Sequence, residues 1–244
     1  MTAPPEVIES FQICHRGLVR AINEDSVLSA PEQGIWVVAD GMGGHAKGDF
    51  ASQLITASLA DLDLSSLAEL SDKLEAVHET LDDTNATLLE KALEISDTAI
   101  VGSTVAVMLV HQDSAGLMWA GDSRIYRYRN DRLEQLSIDH SMANELIREQ
   151  GFSPDQAARS KGAETLTMAV GAMPFYPERL ITDIQPDDRY CLCSDGLTKM
   201  LPDSDIAGLL ARDWSAKKTA EHLVQTALDR GAIDNISTIV INFS

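Results

Sequence analysis

A chain of 244 residues, 44% of them hydrophobic, can bury a full core without disulfides, and one domain over 1–244 is expected. The formal charge of −19 argues against a nucleic-acid partner, because phosphate backbones attract basic surfaces. An odd set of three cysteines (Cys14, Cys191 and Cys193) excludes a regular disulfide framework and fits a reducing compartment. Met1–Ser10 lacks a basic stretch followed by an apolar one, and no window approaches the roughly 20 apolar residues of a membrane span. A cytoplasmic protein with no membrane contact is expected.

In chain order, Phe11–Asp40 reads as strands with turns. The run Gly34–Asp40 is short, apolar and bounded by Gly and Asp, as a buried strand is. Ala51–Leu62 reads as a helix. Ser66–Ile95 has no Pro or Gly and places Leu67, Leu70, Leu74, Val77, Leu81 and Leu88 at helical spacing, which predicts one or two helices packed on a sheet. Gly102–Val110 is β-branched and alternating. Leu117–Ala120, Ile125–Arg129 and Leu133–Leu136 continue as a meander of short strands. Ser141–Ala158 turns polar and helical and reads as an excursion from the sheet. Strands return at Leu180–Ile184 and Tyr190–Cys193, helices at Leu197–Leu201 and Ala216–Asp229, and a last strand at Ile236–Phe243. Strand runs interrupted by long helices, without regular alternation, predict mostly antiparallel sheet with flanking helices. On a strand, Cys191 and Cys193 share one face. They are either half of a zinc site or buried thiols, and the lack of a second Cys/His pair favours the latter.

Four apolar runs begin or end at an aspartate beside a turn-forming residue: Asp40-Gly41, Gly121-Asp122, Asp195-Gly196 and Asp234-Asn235. One Asp-Gly alone is a turn signal. Four at strand ends can converge on one rim of a sheet, and a glycine beside the acid permits close approach and frees a carbonyl. An all-oxygen set suits hard cations such as Mg²⁺ or Mn²⁺ rather than zinc. Clustered carboxylates repel one another unless a cation offsets them. Upstream, Arg20 in the segment Arg16–Asp25 is a candidate fork for phosphate oxygens, with a surface ion pair as its alternative. His45, five residues after Asp40 in a glycine-rich loop, is a candidate proton donor.

Taken together, these blocks carry a resemblance. Gly17-x-x-Arg20-x-x-Asn23-Glu24-Asp25, Val38-Ala39-Asp40-Gly41-Met42-Gly43-Gly44-His45, Gly102-Ser103-Thr104, Gly121-Asp122-Ser123-Arg124, Asp139-His140-Ser141, Ser194-Asp195-Gly196 and Asp234-Asn235-Ile236-Ser237 stand in the order of the PPM family of type 2C serine/threonine phosphatases, and the chain most resembles short stand-alone bacterial members. The resemblance runs from Phe11 to Phe243. It implies an α/β (α+β) four-layer sandwich of two mostly antiparallel sheets flanked by helices, with a flap at about 141–168. It implies hydrolysis of phosphoserine and phosphothreonine esters on proteins, using two Mn²⁺ or Mg²⁺ ions and a third, weaker metal.

By the same resemblance Asp40 bridges the ions, the Gly41 carbonyl completes one, Asp195 and Asp234 hold the other, Asp25 contacts metal-bound water with Glu24 beside it, and Asp122 holds the third. Arg20 binds phosphate and His45 is the general acid. The partners implied are phosphoprotein substrates of a cognate Ser/Thr kinase, with regulation of type VI secretion as one setting and a monomer as the default. The alternatives are a phosphatase for a narrow regulatory phosphoprotein such as an anti-sigma antagonist, and a pseudophosphatase binding module. The retained Asp40, Asp195 and Asp234 oppose the latter, and the acidic charge opposes a metal-dependent nuclease. Two departures from the family pattern are Cys14-His15-Arg16, where small or acidic residues are common, and Met168, where an arginine is common.

Overall fold

Strand β11 (Ile236–Phe243) buries all eight of its residues, which requires cover on both faces. Ile236 and Val240 pack into a cluster with helical side chains, whereas Ile239, Ile241 and Phe243 point the other way into a cluster between two sheets. The period of two along a strand divides its residues between these layers. The computed structural model describes residues 7–43 and 47–244.

One sheet has the order β1 (Val7–His15), β11, β10 (Arg189–Cys193), β7 (Arg124–Arg129), β8 (Arg132–Gln135). The other has the order β2 (Asp25–Ala30), β3 (Ile35–Met42), β5 (Val105–His111), β6 (Ser114–Ala120), β9 (Glu178–Asp183), with the two-residue β4 (Gly102–Ser103) also paired to β3. All of these pairings are antiparallel. Trp36, Val38, Met108, Leu117, Ile125 and Leu192 fill the space between the sheets. Outside the second sheet lie α1 (Gly48–Ala60) and α2 (Leu70–Ile95), whose Leu74, Val77, Leu81 and Leu88 form the predicted helical stripe. Outside the first lie α6 (Asp203–Leu210) and α7 (Ala216–Asp229). The expected four-layer α+β sandwich is the observed one.

The excursion holds α3 (Met142–Gln150) and α4 (Pro154–Ala158). Ser141 caps α3, Gly151 ends it at φ 68°, and a Ser153/Gln156 capping box starts α4. A bridge between Ser141 and Leu166 ties its two ends to each other, and one between Ser103 and Val170 fastens the chain just beyond it to the body.

Some boundaries differ from expectation. Leu67 precedes α2, because the helix begins only at Leu70. The predicted helix at Leu197–Leu201 is the short α5 (Asp195–Thr198), shifted toward the aspartate. Helix α6 was not expected, since eight residues give too few turns for periodicity to show. Cys191 and Cys193 do share one face of β10; both are free and fully buried, and the Cys191 Sγ lies 3.4 Å from Thr238 Oγ1. No helix among the described residues is long and apolar enough to cross a membrane.

Candidate active site

Antiparallel pairing delivers the acidic residues to one rim. Asp25 opens β2 directly opposite Asp40 near the end of β3. Asp122 sits in the corner between β6 and β7, where the chain passes from one sheet to the other. Asp195 follows β10, and Asp234 precedes β11. Both sheets therefore contribute carboxylates to the same end of the sandwich. Asp40, Asp122, Asp195 and Asp234 line one cleft of about 350 Å³, together with Arg20, Glu24, Gly41, Thr104, Glu164, Leu166, Lys199 and Asn235. Asp25 lies behind it, 5% exposed.

Backbone and hydroxyl contacts fix this rim. Asp40 N–H donates to Thr104 Oγ1 at 3.1 Å, and its carbonyl accepts from Ser103 Oγ and Thr104 N–H, each at 2.9 Å. Ser194 Oγ donates to Asp25 Oδ2 at 2.8 Å and itself accepts from Ser237 N–H at 2.9 Å. Asn235 ties the N-terminal loop to β11: its Oδ1 accepts from Glu24 N–H at 2.8 Å, and its Nδ2 donates to the Arg16 and Ile22 carbonyls at 2.8 and 3.0 Å. Glycine is required where these segments meet. A Cβ on Gly41 would collide with the Gly48 and Glu24 carbonyls, and one on Gly196 with the Asn235 carbonyl. The Asp122 corner is held by His140, whose N–H donates to the Gly121 carbonyl and whose Nδ1 accepts from Gly121 N–H.

The electrostatics of the cleft are strained. Burial, then repulsion from Asp25, Asp195, Asp122 and Asp234, pushes the Asp40 carboxyl well above the usual range. Burial also raises Asp25 to about 6 and Asp122 to about 7, in each case with repulsion from Asp195 added. Asp195 is raised by burial despite Lys199 beside it. Asp234 goes the other way. Burial would raise it, but Arg20, the Asn235 N–H and Lys199 more than offset this. Arg20 grips Asp234 with a fork, Nε to Oδ1 and Nη2 to Oδ2, each 2.9 Å. Lys199 Nζ lies 2.5 Å from Asp195 Oδ2 and 3.2 Å from Asp234 Oδ2.

Two buried oxygens, Asp25 Oδ1 and Asp195 Oδ1, have no hydrogen-bond partner. Unpaired buried carboxylate oxygens are costly, and repelling carboxylates in one cleft call for positive charge. An all-oxygen set of this kind fits hard divalent cations. Among the described residues, no three such side chains already stand at the spacing of a ligand shell. Arg20 and Lys199 instead hold Asp234 and Asp195.

Of the residues singled out in the sequence, Arg20, Asp40, Gly41, Asp122, Asp195 and Asp234 meet in the cleft, and Asp25 backs it. His45 lies outside the described residues. Met168 packs against the helix-side core under α2 and is not among the residues lining the cleft. Sequence reasoning missed Lys199 and Glu164. Lys199 stands four residues after Asp195, and that spacing on a helical turn is the signal that could have found it. Nothing local marks Glu164, which the excursion carries to the cleft.

The sandwich with an acidic cleft at one end is the architecture of the PPM class of phosphatases. The chain belongs to the protein phosphatase 2C family, whose match spans residues 18–230. It is 34% identical over 226 residues to the serine/threonine protein phosphatase PstP of Mycobacterium tuberculosis, covering 92% of this chain and 43% of that protein's length. A solved structure of PppA, described as a key regulatory component of T6SS in Pseudomonas aeruginosa, superposes with a TM-score of 0.88 at 35% identity over 100% of both chains. The catalytic domain of PstP in complex with two manganese ions superposes with a TM-score of 0.83 at 32% identity, covering 97% of this chain and 98% of that one. PstP is a serine/threonine protein phosphatase, the activity that the sequence motifs imply.

Proposed function

We propose that the chain is a single catalytic domain that hydrolyses phosphoserine and phosphothreonine esters on proteins, with two divalent cations, Mn²⁺ or Mg²⁺, in the cleft. The observation that carries this reading is the convergence of carboxylates from both sheets in one cleft beside Arg20, with buried oxygens left unpaired. Asp40, the Gly41 carbonyl, Asp195 and Asp234 would hold the ions, with Asp25 behind them and Asp122 toward a third, weaker ion. When bound, such ions supply charge neutralisation and water activation for attack on phosphorus.

The protein's own part is positioning. Arg20, 48% exposed at the cleft mouth, carries a planar fork that holds Asp234 here and would match two phosphoryl oxygens once turned from it. Thr104 and Ser103 fix the Asp40 backbone, so that its carboxylate needs no reorganisation. His45 is assigned the protonation of the departing serine or threonine oxygen. The segment 141–168 brings Glu164 and Leu166 to the cleft wall and acts as a flap over the substrate.

The physiological setting we favour is a cytoplasmic monomer opposing a Ser/Thr kinase. Full-length likeness to PppA supports type VI secretion as the pathway. The test is turnover of a phosphothreonine peptide. Chelator abolishes it, and added Mn²⁺ restores it. Activity that survives exhaustive chelation overturns the reading.

A further inference from the structure

Lys199 stands where the cleft's positive charge is most needed. It follows α5, which starts at Asp195, so the turn of that helix returns its side chain onto the same aspartate. Its ammonium also reaches Asp234, 39 places from Asp195 in sequence but close in space, because it lies ahead of β11, the strand paired with β10. Asp234 in turn is forked by Arg20, giving a chain of alternating charge: Asp195, Lys199, Asp234, Arg20. Only 34% of the Lys199 side-chain surface is exposed, so this bridge is screened less than a surface ion pair.

We propose that Lys199 is a tethered counter-ion of the cleft. Its ammonium bridges Asp195 and Asp234 and must leave when a divalent cation takes those carboxylates, so Lys199 sets the cation concentration at which the protein loads. This rests on reading the cleft as a cation site. A small, mobile ammonium on a flexible stem is suited to the task, since it gives way without moving the backbone. The structure also offers it somewhere to go. Lys199 lines a second hollow of about 380 Å³ beside the cleft, walled by Asp122, Arg124, Asp139, Glu164 and Thr198, in which Arg124 already pairs with Asp139. There the ammonium would face Asp122 and Glu164, since Asp139 is held by Arg124. Lys199 is thus a positioning residue that acts on the ligands. Arg20 contacts only one of the two carboxylates and cannot substitute for the bridge.

The test is calorimetric titration of Mn²⁺ into the chelator-treated protein, alongside thermal melting with and without Mn²⁺. For Lys199→Met, which keeps the stem and removes the charge, Mn²⁺ binding tightens by about threefold to fivefold, the scale expected for losing one competing ion pair. The same variant melts lower than the parent without Mn²⁺ and at least as high with it. Lys199→Arg keeps the parent's weaker affinity. If Lys199→Met does not fold without metal, Lys199→Gln is read in the same way. A folded neutral variant that binds Mn²⁺ equally or more weakly overturns the role of Lys199 while leaving the cation site intact. A parent that takes up no Mn²⁺ overturns the cation-site reading and the proposal with it.

Discussion

The two ends of the sandwich treat buried aspartates in opposite ways. Asp188, just ahead of β10, is fully buried, and its carboxylate is complete: Arg129 donates Nε to Oδ1 and Nη2 to Oδ2 at 2.6 Å each, and Gln185 N–H donates to Oδ2 at 2.9 Å. Arg129 also holds Asp183, so the cation is as well partnered as the anion. At the other end of the same strand, Asp195 keeps an unpaired buried oxygen, as does Asp25 behind it, and Asp40 is raised by burial and then by four neighbouring carboxylates. A satisfied ion pair fastens the fold. An unsatisfied cluster does not fasten the fold, and the proposed cation site is built on it. The identity of the residue is the same at both ends; the partners that tertiary packing supplies decide its use.

The sharpest way to break this comparison is to neutralise one aspartate at each end. Asp40→Asn should lower Mn²⁺-dependent turnover of a phosphopeptide on the order of a thousandfold, the upper range for removing one preorganised electrostatic group, while circular dichroism shows an unchanged fold. Near-parental turnover would remove Asp40 from the centre of the cleft. Asp188→Asn should do the reverse. It leaves Arg129 short of a charge and costs about 3 kcal/mol of stability in urea unfolding, with turnover per folded molecule retained. If Asp188→Asn loses turnover without losing stability, the distinction between the two ends fails.

A smaller effect sharpens the contrast through pH. Asp122 binds its proton more tightly in the fold, at about 7, than at the ordinary 3.8. The folded state therefore carries the extra proton between these values, and the chelator-treated protein loses stability as pH rises from about 4 to 7 on this account. Asp122→Asn removes that contribution. The variant should melt higher than the parent at pH 8 without metal and alike at pH 4. Equal melting at both values would mean that the cleft does not burden Asp122.

The amount that could be read before folding differs between these regions for a physical reason. The Asp-Gly and Gly-Asp corners are local signals, legible because turn chemistry is set by adjacent residues, and their recurrence in family order was enough to indicate the fold and the cleft. The stripe of α2 and the strands β10 and β11 were legible because burial leaves a period of 3.6 or 2 in the sequence. The Asn235 latch onto the Arg16 and Ile22 carbonyls was not, since it joins positions more than 210 apart. Nor was the Arg129 pairing with Asp188, 59 residues away, which looks in sequence like any other arginine and aspartate.

By itself, then, the sequence determined most of the strands and the long helices, though not α6, and also which aspartates stand at strand ends and which family the chain belongs to. Only the tertiary structure decided that Asp188 is neutralised by Arg129, that Lys199 bridges Asp195 and Asp234, and that Asp25 and Asp195 each keep a bare oxygen. Periodicity and turn chemistry act between near neighbours in the chain. The charge state and use of a buried carboxylate depend on whatever donors folding brings within about 3 Å, and no local pattern records that.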